Sequence, residues 1–515
     1  MRKKIFITEL VIFILIVTGI LPRSISLVLA AGLALGAILL PLEEAVLLFI
    51  SSIPLFLALP LTATFDNFNT WRVISLIIFV RWLLQRETLT ILREHIALVM
   101  RRHTRWHLEH PVITALLVVL LLAILSTVVS SDSTLAIKRI IYFLNLSFIG
   151  VVLYNLASRN QSLIPRTIVA IALPTITVIV VGFIQLASTY ALDIYQFVGI
   201  WGEGIQLRQF GTVWASIVAE VGNTWFAYYG DQLSLRVFSL FPDSHSFPQF
   251  VLLGVPAILA LSLGHIITAT TVVSQMIRRR ARFLIVWVPL GFLIAILSGT
   301  RGIWAASIGV VGGAFLLLWK LKKSADHRHT QVFKYLALYL VLFFFLFTVA
   351  YPIFVSPQFL VAKGNFLLFG DRLKSILNFG ETSNALRILI WKASLTSIVQ
   401  HPLLGIGIGN FPVVLGEDLF LARAGSSAHN IYLQIAAEMG IPALCLVLWL
   451  MWQLLATTYR SYLKENDPIL LVYYGSALLY VPWIFLYSLT DVALFDERAF
   501  LLFVTTVALV AAHHE

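Results

Sequence analysis

The chain has few charged residues and almost no cysteine. Of its 515 residues 12% are charged, whereas soluble folds carry about 25% because their surface faces water. Hydrophobic residues make up 59%. The single cysteine, Cys445, excludes a disulfide framework and a cysteine-built metal site. This composition excludes an ordinary soluble protein and indicates one that is embedded in a membrane.

Apolar runs recur from one end of the chain to the other. None of them alternates like a strand of a membrane barrel, so helices must satisfy the backbone. One run holds Arg72 and Arg81 and is short for a span. We predict an all-α, polytopic membrane protein with about 14 transmembrane helices. The runs lie at residues 5–21, 25–41, 45–60, 71–84, 112–130, 140–157, 166–188, 247–267, 283–299, 302–319, 334–353, 441–457, 469–488 and 499–512.

The net charge of +11 suggests nucleic acid at first sight, but the basic residues form short clusters between apolar runs. With the N-terminus inside, the inner segments hold 22 of the 36 Lys and Arg residues and 10 of the 25 Asp and Glu residues. That bias sets orientation in a membrane. We predict that both termini are cytoplasmic and that residues 5–21 form an uncleaved first span. We do not expect nucleic acid as a partner.

Two long segments then fall on the outer side of the membrane. Both mix aromatic with polar residues, which is typical of an interfacial aromatic belt or of a surface that stacks on sugars. Long loops in a compact protein are usually functional or disordered, and these are too aromatic for disorder. We expect chemistry on the outer face. The predicted order is N-terminal helices at 1–188, a first loop at 189–246, central helices at 247–353, a second loop at 354–440 and C-terminal helices at 441–515.

Two arginines stand out on that face. Arg301 lies in a tight hairpin between two apolar runs, where a cation is costly unless it holds an anion or reaches lipid phosphate. Arg387 lies in an apolar, helix-like stretch of the second loop, four residues before Trp391. That spacing also permits a cation–π contact.

His429 is the third candidate. Gly440 is expected to end a helix, and Pro442 suits the first turn of the next. His429 therefore precedes a short helix at the outer interface. Histidine can move a proton near neutral pH, although a lone histidine is often structural.

Alternating glycines at Gly405, Gly407 and Gly409 look like a dinucleotide-binding loop. No parallel α/β unit surrounds them, so we do not expect a nucleotide there. We predict no cofactor.

Together these stretches resemble the O-antigen ligase and polymerase family, bacterial membrane glycosyltransferases that use polyprenyl-diphosphate-linked glycans. The resemblance rests on Arg387 to Trp391, on His-Pro-Leu-Leu-Gly-Ile-Gly-Ile-Gly-Asn-Phe at 401–411, and on His429-Asn430 followed by Glu-Met-Gly-Ile-Pro at 438–442. The hairpin at 298–302 is similar too. So is Arg-Val-Phe-Ser-Leu-Phe-Pro-Asp-Ser-His at 236–245, although the family commonly has asparagine where His245 stands.

The resemblance implies a GT-C-like fold, with two long outer loops and the active site at the periplasmic end. It implies a catalytic histidine and two arginines, which are His429, Arg301 and Arg387 in this sequence. The candidates for substrate binding beside them are Arg236, Asp243, Asn430 and Lys392.

The implied donor is a polyprenyl-diphosphate-linked glycan, and the acceptor is a glycan or a lipid, both bound beside membrane lipid. Arginines grip phosphate oxygens, and His429 would take the acceptor proton, giving inversion. No metal is expected, because the first outer loop at 21–24 lacks an acidic residue and no Asp-x-Asp pair occurs in the chain.

Several alternatives stay open at this point. A ligase, a polymerase and a protein oligosaccharyltransferase would share the same three residues. A flippase or other transporter of lipid-linked oligosaccharides also suits fourteen helices, but it would place charges near the midplane. In a cell-wall polymerase Glu438 or Asp243 would matter more than His429. The roles of Glu438 and His245 are open.

Overall fold

A computed structural model describes residues 2–62, 65–85, 111–212, 214–215, 225–229, 232–265, 281–324, 327–361, 382–416 and 426–512. Most of these residues are helical. The principal helices are α1 (Arg2–Val17), α2 (Ile25–Leu39), α3 (Leu42–Ser52), α4 (Thr70–Leu83), α5 (Pro111–Ser126), α6 (Ser133–Arg159), α7 (Leu163–Ser188), α8 (Ser246–Leu259), α9 (Trp287–Leu297), α10 (Arg301–Ser324), α11 (His327–Val355), α12 (Thr382–Gln400), α13 (Ile431–Lys464), α14 (Pro468–Tyr487) and α15 (Glu497–Ala512).

Helices of membrane-spanning length confirm the polytopic, all-α prediction. Eight helical segments in the described part are long and apolar enough to cross a bilayer. A helix overlaps each of the fourteen predicted runs, but α1, α2, α3, α4, α9 and α15 are shorter than a full span. The count of fourteen and the GT-C-like arrangement therefore stay predictions.

The centre of the bundle is formed by α8 and α14. Almost every side chain of α8 is buried, and the helix packs against α7, α9, α14 and α15. The other face of α14 contacts α10, α11 and α13. By contrast, few residues of α5 and α13 are buried, as is usual for helices in contact with lipid. Cys445 on α13 is among the exposed side chains.

Both predicted loops contain secondary structure. In the first, residues 194–210 are helical, with a π-helical centre at Val198–Gln206. They precede an antiparallel hairpin of β3 (Phe226–Tyr229) and β4 (Gln232–Leu235). In the second, α12 carries Arg387, as its apolar pattern predicted. A smaller antiparallel hairpin, β1 (Ala58–Leu59) with β2 (Phe68–Asn69), precedes α4.

Helix α13 is broken where the sequence predicted. Gly440 has φ 86° and ψ 169°, a left-handed conformation that glycine adopts at little cost. A Cβ at this position would lie 2.2 Å from the carbonyl oxygen of Leu403. The nine residues before Gly440 form a separate short helix, and its first turn follows His429 directly.

Candidate active site

The turn that carries Arg301 is tied to the first loop. Helix α9 ends at Leu297 and α10 begins at Arg301, so only three residues connect them. Gly299 has φ +65°. The Thr300 hydroxyl donates a hydrogen bond of 2.6 Å to the carbonyl oxygen of Ser244. The start of α10 is thereby held against the segment that carries Asp243 and His245.

The starts of two helices meet at the end of α14. A Cβ on Gly302 would lie 2.3 Å from the Thr490 hydroxyl and 2.8 Å from the Tyr487 ring, so the start of α10 packs directly on this end. The amide of Ile431 donates to the carbonyl oxygen of Ser488 at 2.9 Å, which brings the start of α13 to the same place. Arg301 and His429 therefore flank the residues that follow α14.

His429 is held in an unusual backbone conformation by its neighbours. Its φ is 45°, which costs a residue other than glycine of the order of 1–3 kcal/mol. The indole of Trp391 donates to the carbonyl oxygen of Ala428 at 3.0 Å, and the Gln434 side chain accepts from the Ala428 amide at 2.8 Å. Trp391 thus ties α12, and with it Arg387, to the residue before His429.

Asp491 is the acidic centre of the cluster, and sequence reasoning missed it. Its carboxylate lies 2.8 Å from Nδ1 of His245 and accepts the amides of Val492 and Ala493 at 2.8 and 3.0 Å. Burial raises the pKa of this carboxyl. Attraction to the His245 ring and the hydrogen bond to it lower the pKa by more than burial raises it. His429 adds to that lowering. Asp491 is therefore an anion, with a pKa below its ordinary value.

Burial also lowers the pKa of His429, and nearby Arg387 and His245 lower it further, while Asp491 raises it in part. The net pKa lies below the ordinary value for histidine, which is about 6.5. The ring is therefore neutral at neutral pH. Its Nδ1 is buried and has no hydrogen-bond partner in the described part of the chain.

His245 links Asp491 to Arg236. The Arg236 Nη2 lies 3.3 Å from Nε2 of His245, and since arginine only donates, that nitrogen accepts. The Nδ1 of the same ring faces Asp491. Arg236 also donates through Nε to the carbonyl oxygen of Ser298 at 3.2 Å. This chain of hydrogen bonds sets the position of the Arg236 guanidinium beside the hairpin.

Two of the predicted substrate-binding residues have structural contacts as well. The Asp243 carboxylate accepts the amides of His245 and Ser246, both at 2.8 Å. The Asn430 side chain caps α13 by accepting from the Leu433 amide at 3.0 Å. Lys392 is exposed on α12. The structure brings Arg387 and His429 together with Asp491, and it leaves the substrate-binding roles of Arg236, Asp243, Asn430 and Lys392 as predictions.

The glycine-rich stretch at 405–409 packs against protein backbone. Gly405, Gly407 and Gly409 all have positive φ, between 64° and 99°. A Cβ on Gly405 would lie 2.4 Å from the Ala437 carbonyl oxygen, and one on Gly407 would lie 2.3 Å from Ser130 Cβ. These close approaches explain why glycine is needed at these positions, and no bound nucleotide is required to account for it.

Residues 284–448 match the family described as O-antigen ligase. The matched region includes Arg301, Arg387 and His429, whereas His245 and Asp491 lie outside it. No curated protein matches the chain. The protein is thus a polytopic membrane protein with a region that is similar to the O-antigen ligases.

Proposed function

We propose that the protein is a membrane glycosyltransferase that transfers a glycan from a polyprenyl-diphosphate-linked donor to an acceptor hydroxyl, as a surface-polysaccharide polymerase or ligase. The observation that carries this proposal is the meeting of Arg387, His429 and Asp491 at the end of α14. Two of the three lie in the region that matches the O-antigen ligases.

The arginines suit the leaving group of this reaction. As the anomeric C–O bond breaks, the electron pair stays on the diphosphate, whose negative charge grows. A guanidinium stays charged and binds two phosphate oxygens at once. Stabilising charge where it develops is usually the largest catalytic contribution. We assign Arg301 and Arg387 to the diphosphate, and this diphosphate then leaves without a general acid.

His429 suits the acceptor side. Its lowered pKa keeps the ring neutral, so it can take the proton of the acceptor hydroxyl while that oxygen attacks the anomeric carbon. The ring becomes positive in this step, and the Asp491 anion stabilises that charge. Attack opposite the departing diphosphate inverts the anomeric centre.

The reaction is proposed to need no metal, with arginines neutralising the diphosphate in place of a divalent cation. The location is proposed to be the bacterial inner membrane, with both termini in the cytoplasm. The distribution of Lys and Arg supports a periplasmic location for the end that carries His429.

The test is complementation of strains that lack either the polymerase or the ligase, with the surface glycan ladder as the readout. Wild type, His429→Ala and His401→Ala are compared, because the His401 side chain is exposed on the same loop. Rescue of long chains by wild type and His401→Ala identifies a polymerase, and rescue of core attachment identifies a ligase. Rescue by His429→Ala as well contradicts the catalytic role and favours a transporter.

A further inference from the structure

A second pair of arginines lies at the same end of the bundle as His429. Arg72 is in the first turn of α4 and Arg139 in the second turn of α6. Both guanidinium groups lie over the ring of Tyr142, with Cζ at 5.4 Å from its centroid in each case. One aromatic ring on α6 therefore contacts both cations.

More rings fix each guanidinium. Arg72 also lies over Trp71 at 5.2 Å and Phe68 at 5.8 Å. Arg139 also lies over Phe143 at 5.1 Å and Phe495 at 5.8 Å. Each of these cation–π contacts contributes about 0.5–2 kcal/mol. A cation–π contact fixes the position of the charge and does not require an oxygen acceptor for the N–H donors.

Those donors are not used by protein carboxylates. In the described ranges no Asp or Glu oxygen lies within 4.0 Å of either guanidinium, and Nε of Arg72 is buried without a partner. The nearest acids are engaged with neutral donors. Glu497 accepts from the Asn69 amide at 2.5 Å and from the Trp71 indole at 2.7 Å.

Glu438 is engaged in the same way. It accepts from the Gln434 side chain at 2.5 Å and from the backbone amides of Gly409 and Phe411, and the charge of Arg139 attracts it from beyond salt-bridge distance. An arginine at the end of an apolar span is costly unless it holds an anion or reaches lipid phosphate. Two cations with unused donors match the bidentate recognition of a phosphate group.

This arginine pair is close to the active site along the chain. Phe495, which lies under Arg139, is four residues after Asp491, so their Cα atoms are at most about 14 Å apart. The carbonyl oxygen of Phe495 also accepts from the Tyr142 hydroxyl at 3.0 Å. The second pair of cations is thus joined to the catalytic cluster by one short segment, residues 491–495.

We propose that Arg72 and Arg139 form a second binding site for the phosphate group of a lipid. If the proposed glycosyl transfer holds, this site suits the diphosphate of a lipid-linked acceptor, whose glycan would extend along residues 491–495 to His429. An acceptor of that kind is the substrate of a polymerase. An annular phospholipid offers the same phosphate chemistry.

The test counts sites on the purified full-length protein in detergent, with radiolabelled farnesyl diphosphate as the probe. Wild type is expected to bind two equivalents. The variant Arg72→Gln with Arg139→Gln is expected to bind one, and so is Arg301→Gln with Arg387→Gln. The matched control Lys138→Gln, which removes an exposed cation beside Arg139 on α6, is expected to bind two.

The outcomes separate the two proposals. One equivalent in wild type, or two in the Arg72 and Arg139 variant, overturns the second site. Two in the Arg301 and Arg387 variant overturns the donor site and leaves the second site in place. A remaining equivalent also shows that a variant is folded. If the variant Arg72→Gln with Arg139→Gln binds no farnesyl diphosphate, the single variant Arg139→Gln is decisive. Loss of one equivalent in that single variant supports the second site, and retention of two equivalents overturns it.

Competition distinguishes the two sources of phosphate. Excess phosphatidylglycerol that displaces only the equivalent dependent on Arg72 and Arg139 assigns the site to a phospholipid headgroup. Retention of that equivalent under the same excess assigns it to a prenyl diphosphate, as a lipid-linked acceptor requires.

Discussion

The cations at the two ends of the segment 491–495 have different partners. At Asp491 the positive and titratable groups meet a carboxylate, with His245 at 2.8 Å. At Phe495 the cations Arg72 and Arg139 lie over aromatic rings, and the neighbouring carboxylates are bound by neutral donors. At the first end the charged groups interact with one another. At the second end the guanidinium N–H groups of Arg72 and Arg139 have no carboxylate acceptor in the described part of the chain.

This difference in partners indicates different functions for the two ends of the segment. In the cluster around Asp491, neighbouring charges shift the pKa of His429 and of Asp491, which suits proton transfer. Stacked guanidinium groups stay charged at every relevant pH, which suits holding an anion. Substitutions at the first end should therefore change rate and pH dependence, whereas those at the second should change binding alone.

The largest effect is expected from His429→Ala. Loss of a general base lowers the rate by about 10²–10⁴-fold, while the helix cap from Asn430 to Leu433 stays in place. The rate of glycan transfer from a lipid-linked donor in membranes checks this, with His401→Ala as the control. A rate like that of wild type would show that His429 is structural.

Arg387→Lys is expected to have the next largest effect. The charge is kept but the two-pronged grip on phosphate is lost, and hydrogen bonds to charged groups contribute about 1.5–3 kcal/mol. The rate should fall by roughly ten- to a hundredfold. The turnover of the purified variant with saturating acceptor is the measurement. Wild-type turnover would mean that a point charge is enough, and Lys392→Gln, on the same helix, should do less.

Asp491→Asn should move the acidic limb of the pH–rate profile to lower pH. His429 acts as a base only when neutral, so activity is lost as the pH falls through its pKa. Asp491 raises that pKa against burial, and removing the carboxylate lets it fall further. The profile of kcat between about pH 4 and pH 8 tests this. A limb that moves to higher pH would contradict the assignment of His429 as the titrating base.

The smallest effect on pH dependence is expected from Arg139→Gln. This variant should weaken binding at the second site and leave the acidic limb where it is in wild type, since Arg139 does not contribute to the pKa of His429. The measurement is the pH–rate profile of Arg139→Gln, recorded side by side with that of Asp491→Asn. A matching shift in both would show that the two ends are one coupled site.

Metal removal tests both ends together. Chelation with EDTA should leave transfer unchanged, because arginines are proposed to bind the phosphates. Inhibition that magnesium or manganese reverses would overturn the metal-independent mechanism.

Local features of the site could be predicted from the sequence. The hairpin that carries Arg301 follows from two apolar runs, 283–299 and 302–319, with two residues between them. The helix that begins after Asn430 and breaks at Gly440 follows from a capping residue, a glycine and a proline. Each depends on residues within one or two helical turns.

Asp491 could not be found in this way. It is 246 residues from His245 in the chain, and the loop that carries it lies outside the region that matches the O-antigen ligases. Arg72 was visible only as a charge in a short apolar run. No periodic pattern relates it to Arg139 or shows that the Tyr142 ring holds both.

The sequence by itself determined the membrane class, the helices and the turns that carry Arg301 and His429, because apolar length and backbone preference are local properties. Tertiary structure alone decided which charges meet. A hydrogen bond or ion pair needs its partners within about 3 Å. That distance is set by how α4, α6, α12, α14 and α15 pack against one another.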